Sequence, residues 1–280
     1  MSNFLQINGR RIHYVETGPK NAPAVVLLHG QSGFWYDWSE VAPGLAKNYR
    51  VVAIDHPGFG DSDWDPSYKT YLVEGFAKEM EEVTKQLSLD RFVLVGHSFG
   101  GRIGLAYACS HPKQLRAVVL ADSSPDVDPA GSLEARKYLA SIPAEFETFE
   151  QAMEFFHKHY PNFTSNSLRE RLLNYLTQLP SGSYRVKRDP AIGAKYSLIL
   201  QGKAQAPEPD WGSLRNLTCP VLLLRGTNSE LVTIGIENQM RQVNPNMETI
   251  EITNAGHLVA TEQPEQVLKA LLNYLRRLPA

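Results

Sequence analysis

A serine hydroxyl is a weak nucleophile. It attacks a carbonyl only when a histidine takes its proton, an acid orients that histidine, and backbone amides receive the developing oxyanion. The chain holds Gly96-His97-Ser98-Phe99-Gly100 between the apolar run Phe92-Val93-Leu94-Val95 and a small-residue stretch from Gly101 to Ala108. That order reads as strand, sharp turn, helix. A serine in such a turn adopts a strained backbone, and residues two positions away crowd it unless they lack side chains; glycines at 96 and 100 meet that need. Of the eight histidines, His257 in Asn254-Ala255-Gly256-His257 is the best base, because its loop follows the last expected strand and reaches the same sheet edge as Ser98. His29-Gly30-Gln31 follows the run Ala24 to Leu28. Gly30 lets the backbone bend so that the Gln31 amide points into the site, and the Phe99 amide supplies a second oxyanion donor. His29 itself reads as a brace for that loop.

These residues need a scaffold. Ala24–Leu28, Val51–Ile54, Phe92–Val95, Ala117–Leu120 and Val221–Leu224 are continuous apolar runs, as parallel strands covered on both faces require. Ile12 to Glu16 alternates and reads as a half-exposed strand near an edge, and Met247 to Ile252 completes the set. Between them lie amphipathic helices such as Val73–Leu87, and a last helix runs from about Pro264 to Leu278. The expected fold is α/β, a doubly wound and mostly parallel sheet. From Ser124 to Gly212 the strand signal disappears, prolines recur, and helices are expected near Leu133–Ala140, Phe149–His159 and Ser167–Leu179. Residues 1–123 and 213–280 therefore read as the core, and 124–212 as a helical cap insertion over the edge where open α/β sheets bind ligands.

Composition narrows the partners. A hydrophobic content of 42% supports a sizeable core, and a net charge of −2 gives no basic field for nucleic acid or an anionic membrane. No apolar run approaches the ~20 residues of a membrane span, and no signal peptide is visible at the N-terminus. The two cysteines, Cys109 and Cys219, form neither a metal spacing nor a disulfide framework, and a cytoplasmic location is expected. His157 and His159 lie on different faces of a helix, so neither a metal nor a cofactor is expected. Trp35 and Phe99 are placed at the substrate pocket, which would suit a small molecule with an apolar acyl or aromatic part. Most of the cap aromatics read as packing. The oligomeric state is not legible.

Together, His29-Gly30, the block Asp55-His56-Pro57-Gly58-Phe59-Gly60-Asp61-Ser62, Gly96 to Gly101, Leu223-Leu224-Arg225-Gly226 and Gly256-His257 resemble an α/β-hydrolase fold protein with a helical cap. The resemblance spans nearly the whole chain and implies a structural role for the Asp55-to-Ser62 block beneath the site. It also implies an aspartate after the strand Val221–Leu224, but that position, counted from Gly226, is Ser229. Two replacements stand open: Asp122 at the end of the preceding strand, as in some branches of the family, and Glu230, one residue beyond Ser229. Asp122 is favoured. The resemblance implies a serine hydrolase of a small ester, thioester or lactone. The same residues would also serve a C–C or cyanohydrin lyase, a cofactor-independent dioxygenase, or a small-molecule receptor. Ser98 excludes the dehalogenase and epoxide-hydrolase branches, which need an aspartate nucleophile.

Overall fold

A strand that is apolar on both faces is stable only between two covering layers. The computed structural model of the chain, which describes residues 2–65, 67, 71–111 and 113–279, provides them around one eight-stranded sheet. In chain order the strands are β1 (Ser2–Ile7), β2 (Arg10–Thr17), β3 (Ala24–Leu28), β4 (Arg50–Ile54), β5 (Phe92–His97), β6 (Leu115–Ala121), β7 (Glu145–Phe146), β8 (Leu176–Gln178), β9 (Tyr184–Val186), β10 (Val221–Gly226) and β11 (Glu248–Ile252). The sheet runs β1-β2-β4-β3-β5-β6-β10-β11. β2 alone runs opposite to the other seven strands.

Alternation along β3 shows how the layers divide. Val26 and Leu28 pack with Phe76 and Met80 of the helix Val73–Gln86, whereas Val25 and Leu27 pack with Val267 and Leu271 of the helix Pro264–Arg277. Both helices match the expected amphipathic segments. β1 went unread in the sequence. Its residues alternate between exposed and half-buried as far as Gln6, with Ile7 buried, and it forms the outer edge beside β2. No helix among the described residues is long and apolar enough to cross a membrane.

The chain leaves the sheet after β6 and returns at β10, and none of the described residues between them adds a strand to it. The inserted segment is not purely helical, however. β7, β9 and β8 form a separate three-stranded antiparallel sheet. The expected helix Ser167–Leu179 therefore ends at Tyr175, and Leu176 is extended at φ −108° and ψ 147°. Leu176–Gln178 instead pairs with Tyr184–Val186 across a turn in which Gly182 adopts φ +91°. Pairing across that turn overrides the helical tendency of so short a stretch. At the far end, residues 211–215 form one helix whose Leu214 is buried in the cluster beneath the sheet, so the junction at 212/213 falls inside an element.

Candidate active site

β5 delivers Ser98 to the turn before the helix Phe99–Ser110. Ser98 sits at φ 51° and ψ −117°, a conformation that costs a non-glycine residue about 1–3 kcal/mol. Backbone bonds hold it there: its N–H donates to Ala121 O at 3.1 Å, and its carbonyl accepts from Gly101 N–H at 3.0 Å. The Ser123 hydroxyl donates to the same carbonyl at 2.5 Å. A Cβ on Gly96 would lie 2.3 Å from Gly101 N, and one on Gly100 would lie 2.6 Å from Leu28 O. The glycines thus permit the close approach that the spacing implied.

The loop after β3 crosses directly over this turn. A Cβ on Gly30 would lie 3.0 Å from His97 Nδ1 and 3.2 Å from Ser98 Cβ. His29 is fully buried and braces the loop as expected. Its Nδ1–H donates to Gly30 O at 2.7 Å, and its Nε2 accepts from His56 N–H at 3.1 Å. Burial, helped by nearby His56, pushes its pKa well below the ordinary histidine value, so it is neutral. A second brace comes from the inserted segment. Arg171 on the helix Ser165–Tyr175 donates to the Asp37 carboxylate and, at 3.4 Å, to Ser32 O, with its guanidinium 5.2 Å from the Phe34 ring centroid. Both partners of this ion pair are buried.

β6 ends at Ala121, and Asp122 follows at φ 46° with its side chain shielded from solvent. Asp122 Oδ2 is 2.7 Å from His257 Nδ1. The same oxygen accepts from the Ser229 hydroxyl at 2.6 Å, and Oδ1 accepts from Gly226 N–H at 2.9 Å. The residue standing where an aspartate was anticipated therefore donates to an aspartate on the neighbouring strand. Ser229 Oγ also accepts the amides of Leu231 at 3.3 Å and Val232 at 3.1 Å. Glu230 is exposed, and it is its carbonyl that meets the inserted segment: a Cβ on Gly131 would lie 2.1 Å from Glu230 O.

Ser98, Phe99, Gln31, Asp122 and His257 line one cavity of about 1450 Å³, together with residues such as Tyr138, Tyr160 and Phe163 of the inserted segment. Glu230 is at its wall as well. Trp35, expected at the substrate pocket, does not line this cavity. Its amide donates to Asp55 Oδ1 at 2.6 Å, and its indole packs edge-on against Phe34 and Tyr36 between two hydrophobic clusters. The amide bond to Asp55 anchors the residue, and its large ring is used in packing. Phe99 does line the cavity.

The Asp55-to-Ser62 block is buried except for Asp61, which is exposed. Asp55 Oδ2 accepts from Asp61 N–H at 3.0 Å and bonds His13 Nδ1 at 2.7 Å, and Ser62 Oγ donates to Asp55 O at 2.7 Å. His13, Asp55 and Asp61 do bring three ligand-type atoms within 4.8 Å of one another. The Asp55 oxygens, however, are engaged by Trp35, Asp61 and His13, an arrangement that ties β2, β4 and the Trp35 loop together. Sequence reading missed three residues that hold the site: Ser229 on Asp122, His97 on the His257 carbonyl at 2.9 Å, and Glu262 on the Gly256 amide at 2.9 Å. The Ser-x-Leu-Val spacing after Gly226 hints at the first, since a serine there is able to cap the following amides.

Comparison with known proteins bears on the family and the fold. Residues 23–264 match the family described as alpha/beta hydrolase fold. A protein of Bacillus subtilis (strain 168), named as a 2-succinyl-6-hydroxy-2,4-cyclohexadiene-1-carboxylate synthase, is 27% identical over 277 residues, 98% of this chain and 97% of that one. A haloalkane dehalogenase of Psychrobacter cryohalolentis is 28% identical over 282 residues, covering 96% of this chain and 88% of that one. Among solved structures, an E-2-(acetamidomethylene)succinate hydrolase shares the fold with a TM-score of 0.86 at 24% identity, over 99% of each chain. The chain therefore belongs to the alpha/beta hydrolase fold family, and its relatives mark it as an enzyme of the hydrolase kind.

Proposed function

We propose that the protein is a serine hydrolase cleaving a small or medium-sized ester, thioester or lactone through an acyl-enzyme on Ser98. The reading rests above all on the 2.7 Å bond between His257 Nδ1 and the buried Asp122 carboxylate, in the same cavity as Ser98. Because Asp122 accepts the Nδ1 proton, Nε2 on the opposite edge of the ring is left bare to act as general base. Ser98 Oγ attacks the carbonyl carbon while Nε2 takes its proton. The amides of Gln31 and Phe99 receive the oxyanion. The bond to the leaving oxygen or sulfur breaks as His257 returns the proton to it. Water then repeats the sequence on the acyl-enzyme, releasing the acid and freeing Ser98. This balances with water alone.

Asp122, not Glu230, is the proposed acid, because the Glu230 side chain is exposed. Residues 124–212 serve as the cap, and Phe99, Leu139, Phe163 and Leu258 at the cavity wall favour an apolar or aromatic acyl part. Halide displacement of the dehalogenase type is not proposed: it needs a carboxylate nucleophile, and Ser98 offers a hydroxyl.

The test is turnover of p-nitrophenyl esters of graded acyl length by the wild type, Ser98→Ala, His257→Ala and the double variant. Each single change should cost about 10⁴-fold or more in kcat, and the double variant should be barely worse than either. A multiplicative loss, or retention of over a tenth of the activity in Ser98→Ala, would refute the dyad. A relative named as a synthase, not a hydrolase, keeps a second reading in view, a C–C or cyanohydrin lyase or cofactor-independent dioxygenase in which His257 deprotonates the substrate and Ser98 only positions it. A silent ester panel would favour that.

A further inference from the structure

We infer that Glu262 is a positioning residue for His257: with the His97 imidazole, its carboxylate fixes the backbone of residues 256–258 on both sides of the base. This rests on the reading of His257 as general base. Glu262 Oε2 accepts from Gly256 N–H at 2.9 Å, and Oε1 accepts from Leu258 N–H at 3.3 Å. The two amides flanking His257 are thus taken by the two oxygens of one carboxylate. The carbonyl between them is taken as well, since His97 Nε2–H donates to His257 O at 2.9 Å. A carbonyl only accepts, so the proton of His97 is on Nε2. The rings of His97 and His257 lie 4.8 Å apart between centroids.

The geometry ties this loop to the rest of the site. His97 precedes the nucleophile, so the same turn that presents Ser98 also grips the base. Glu262 Oε2 also accepts from Asn162 Nδ2 at 3.2 Å, which reaches it from the inserted segment. Glu262 ends the short helix Val259–Glu262, and a bond to Leu258 N–H would also serve as a cap for that helix. A cap alone explains the Leu258 contact but not the stronger bond to Gly256, which lies before the helix and on the other side of His257.

Charge matters here because both donors are N–H groups. A carboxylate accepts both, with roughly twice the strength of a neutral acceptor. A glutamine offers one acceptor oxygen and would aim its NH₂ at the second N–H. The test is steady-state kinetics of Glu262→Gln and Glu262→Ala on the ester panel, well below the melting temperature of each. The proton spectrum of each is recorded alongside, for the low-field His257 Nδ1–H resonance. We expect kcat to fall about 3- to 10-fold for Glu262→Gln and about 10- to 100-fold for Glu262→Ala, with KM changed less than about 3-fold, as for a reacting group misplaced by a fraction of an ångström up to 1 Å. The resonance should broaden or move upfield in the same order. If both variants keep kcat within about 2-fold and only melt earlier, Glu262 is a helix cap and the inference is overturned. Failure of the base reading looks different: His257→Ala itself would stay active.

Discussion

Replacing Asp122 by asparagine preserves the shape of the side chain and reverses the hydrogen bonding of one of its two positions. Oδ1 faces Gly226 N–H at 2.9 Å, a backbone donor that cannot become an acceptor. The amide oxygen must therefore stay at that position, which puts the NH₂ group where Oδ2 now faces Ser229 Oγ and His257 Nδ1. Ser229 Oγ already accepts the Leu231 and Val232 amides, so it has no lone pair left for that NH₂ group, and its own hydroxyl proton loses its acceptor. His257 accepts at Nδ1 only by moving its proton to Nε2, the nitrogen that must receive the proton of Ser98. The flipped asparagine gains nothing, because it would set NH₂ against Gly226 N–H. Either way the base is lost in its working tautomer, and kcat should fall about 10⁴-fold, or roughly 5.4 kcal/mol of transition-state stabilisation. The assay is kcat on the best ester of the panel, with circular dichroism to confirm folding. Glu230→Gln is the control. Its side chain is exposed, so it should cost no more than about 3-fold. Retention of over a tenth of the activity by Asp122→Asn, or an equal loss in Glu230→Gln, would refute the reasoning.

Gly30→Ala should lower kcat by about 10²- to 10³-fold with a smaller change in KM. The new methyl meets His97 and Ser98 and displaces the Gln31 amide; kinetics on the same panel check this. Arg171→Met leaves the buried Asp37 carboxylate unpaired and should cost about 3–5 kcal/mol, a fall in Tm of roughly 5–9 °C, while adding Asp37→Asn should restore part of it. A loss under about 1 kcal/mol in thermal denaturation would contradict that role. Stability should also fall on acidification below about pH 6.5. Burial holds His56 down to about 4 and His97 down to about 3, and pushes His29 well below its ordinary value. Above pH 6.5 these groups are neutral whether folded or not. Below it the unfolded chain binds protons that the folded chain refuses, so each costs up to about 1.4 kcal/mol per pH unit, down to its folded pKa. A Tm that stays flat from pH 6.5 to 5 would contradict this.

The sheet was legible because its central strands are apolar on both faces, a pattern that only a doubly covered parallel sheet explains. β1 escaped because an edge strand buries little, and its alternation in Ser2–Ile7 is shallow. β7, β8 and β9 escaped because strands of two and three residues carry almost no periodic signal. At the site, Ser98, His257 and the flanking glycines were legible from chemistry that demands those residue types in that order. Trp35 was misplaced because an aromatic after a glycine turn fits a pocket wall as well as a packed wedge, and only its neighbours in space, Asp55, Phe34 and Tyr36, decide. Asp122 and Glu230 differ in what surrounds them in space. The Ser229 bond to Asp122 and the His97 bond to the His257 carbonyl join residues more than 100 positions apart, which no linear spacing encodes.

The most direct measurement is peptide mapping by mass spectrometry after brief exposure to a fluorophosphonate probe, run in parallel with loss of ester turnover. The expected result is one stoichiometric adduct on Ser98 that tracks inactivation, disappears in Ser98→Ala and forms at least about 10³-fold more slowly in His257→Ala. Full inactivation with the adduct on another residue, or undiminished turnover with Ser98 fully modified, would contradict catalysis by an acyl-enzyme on this serine.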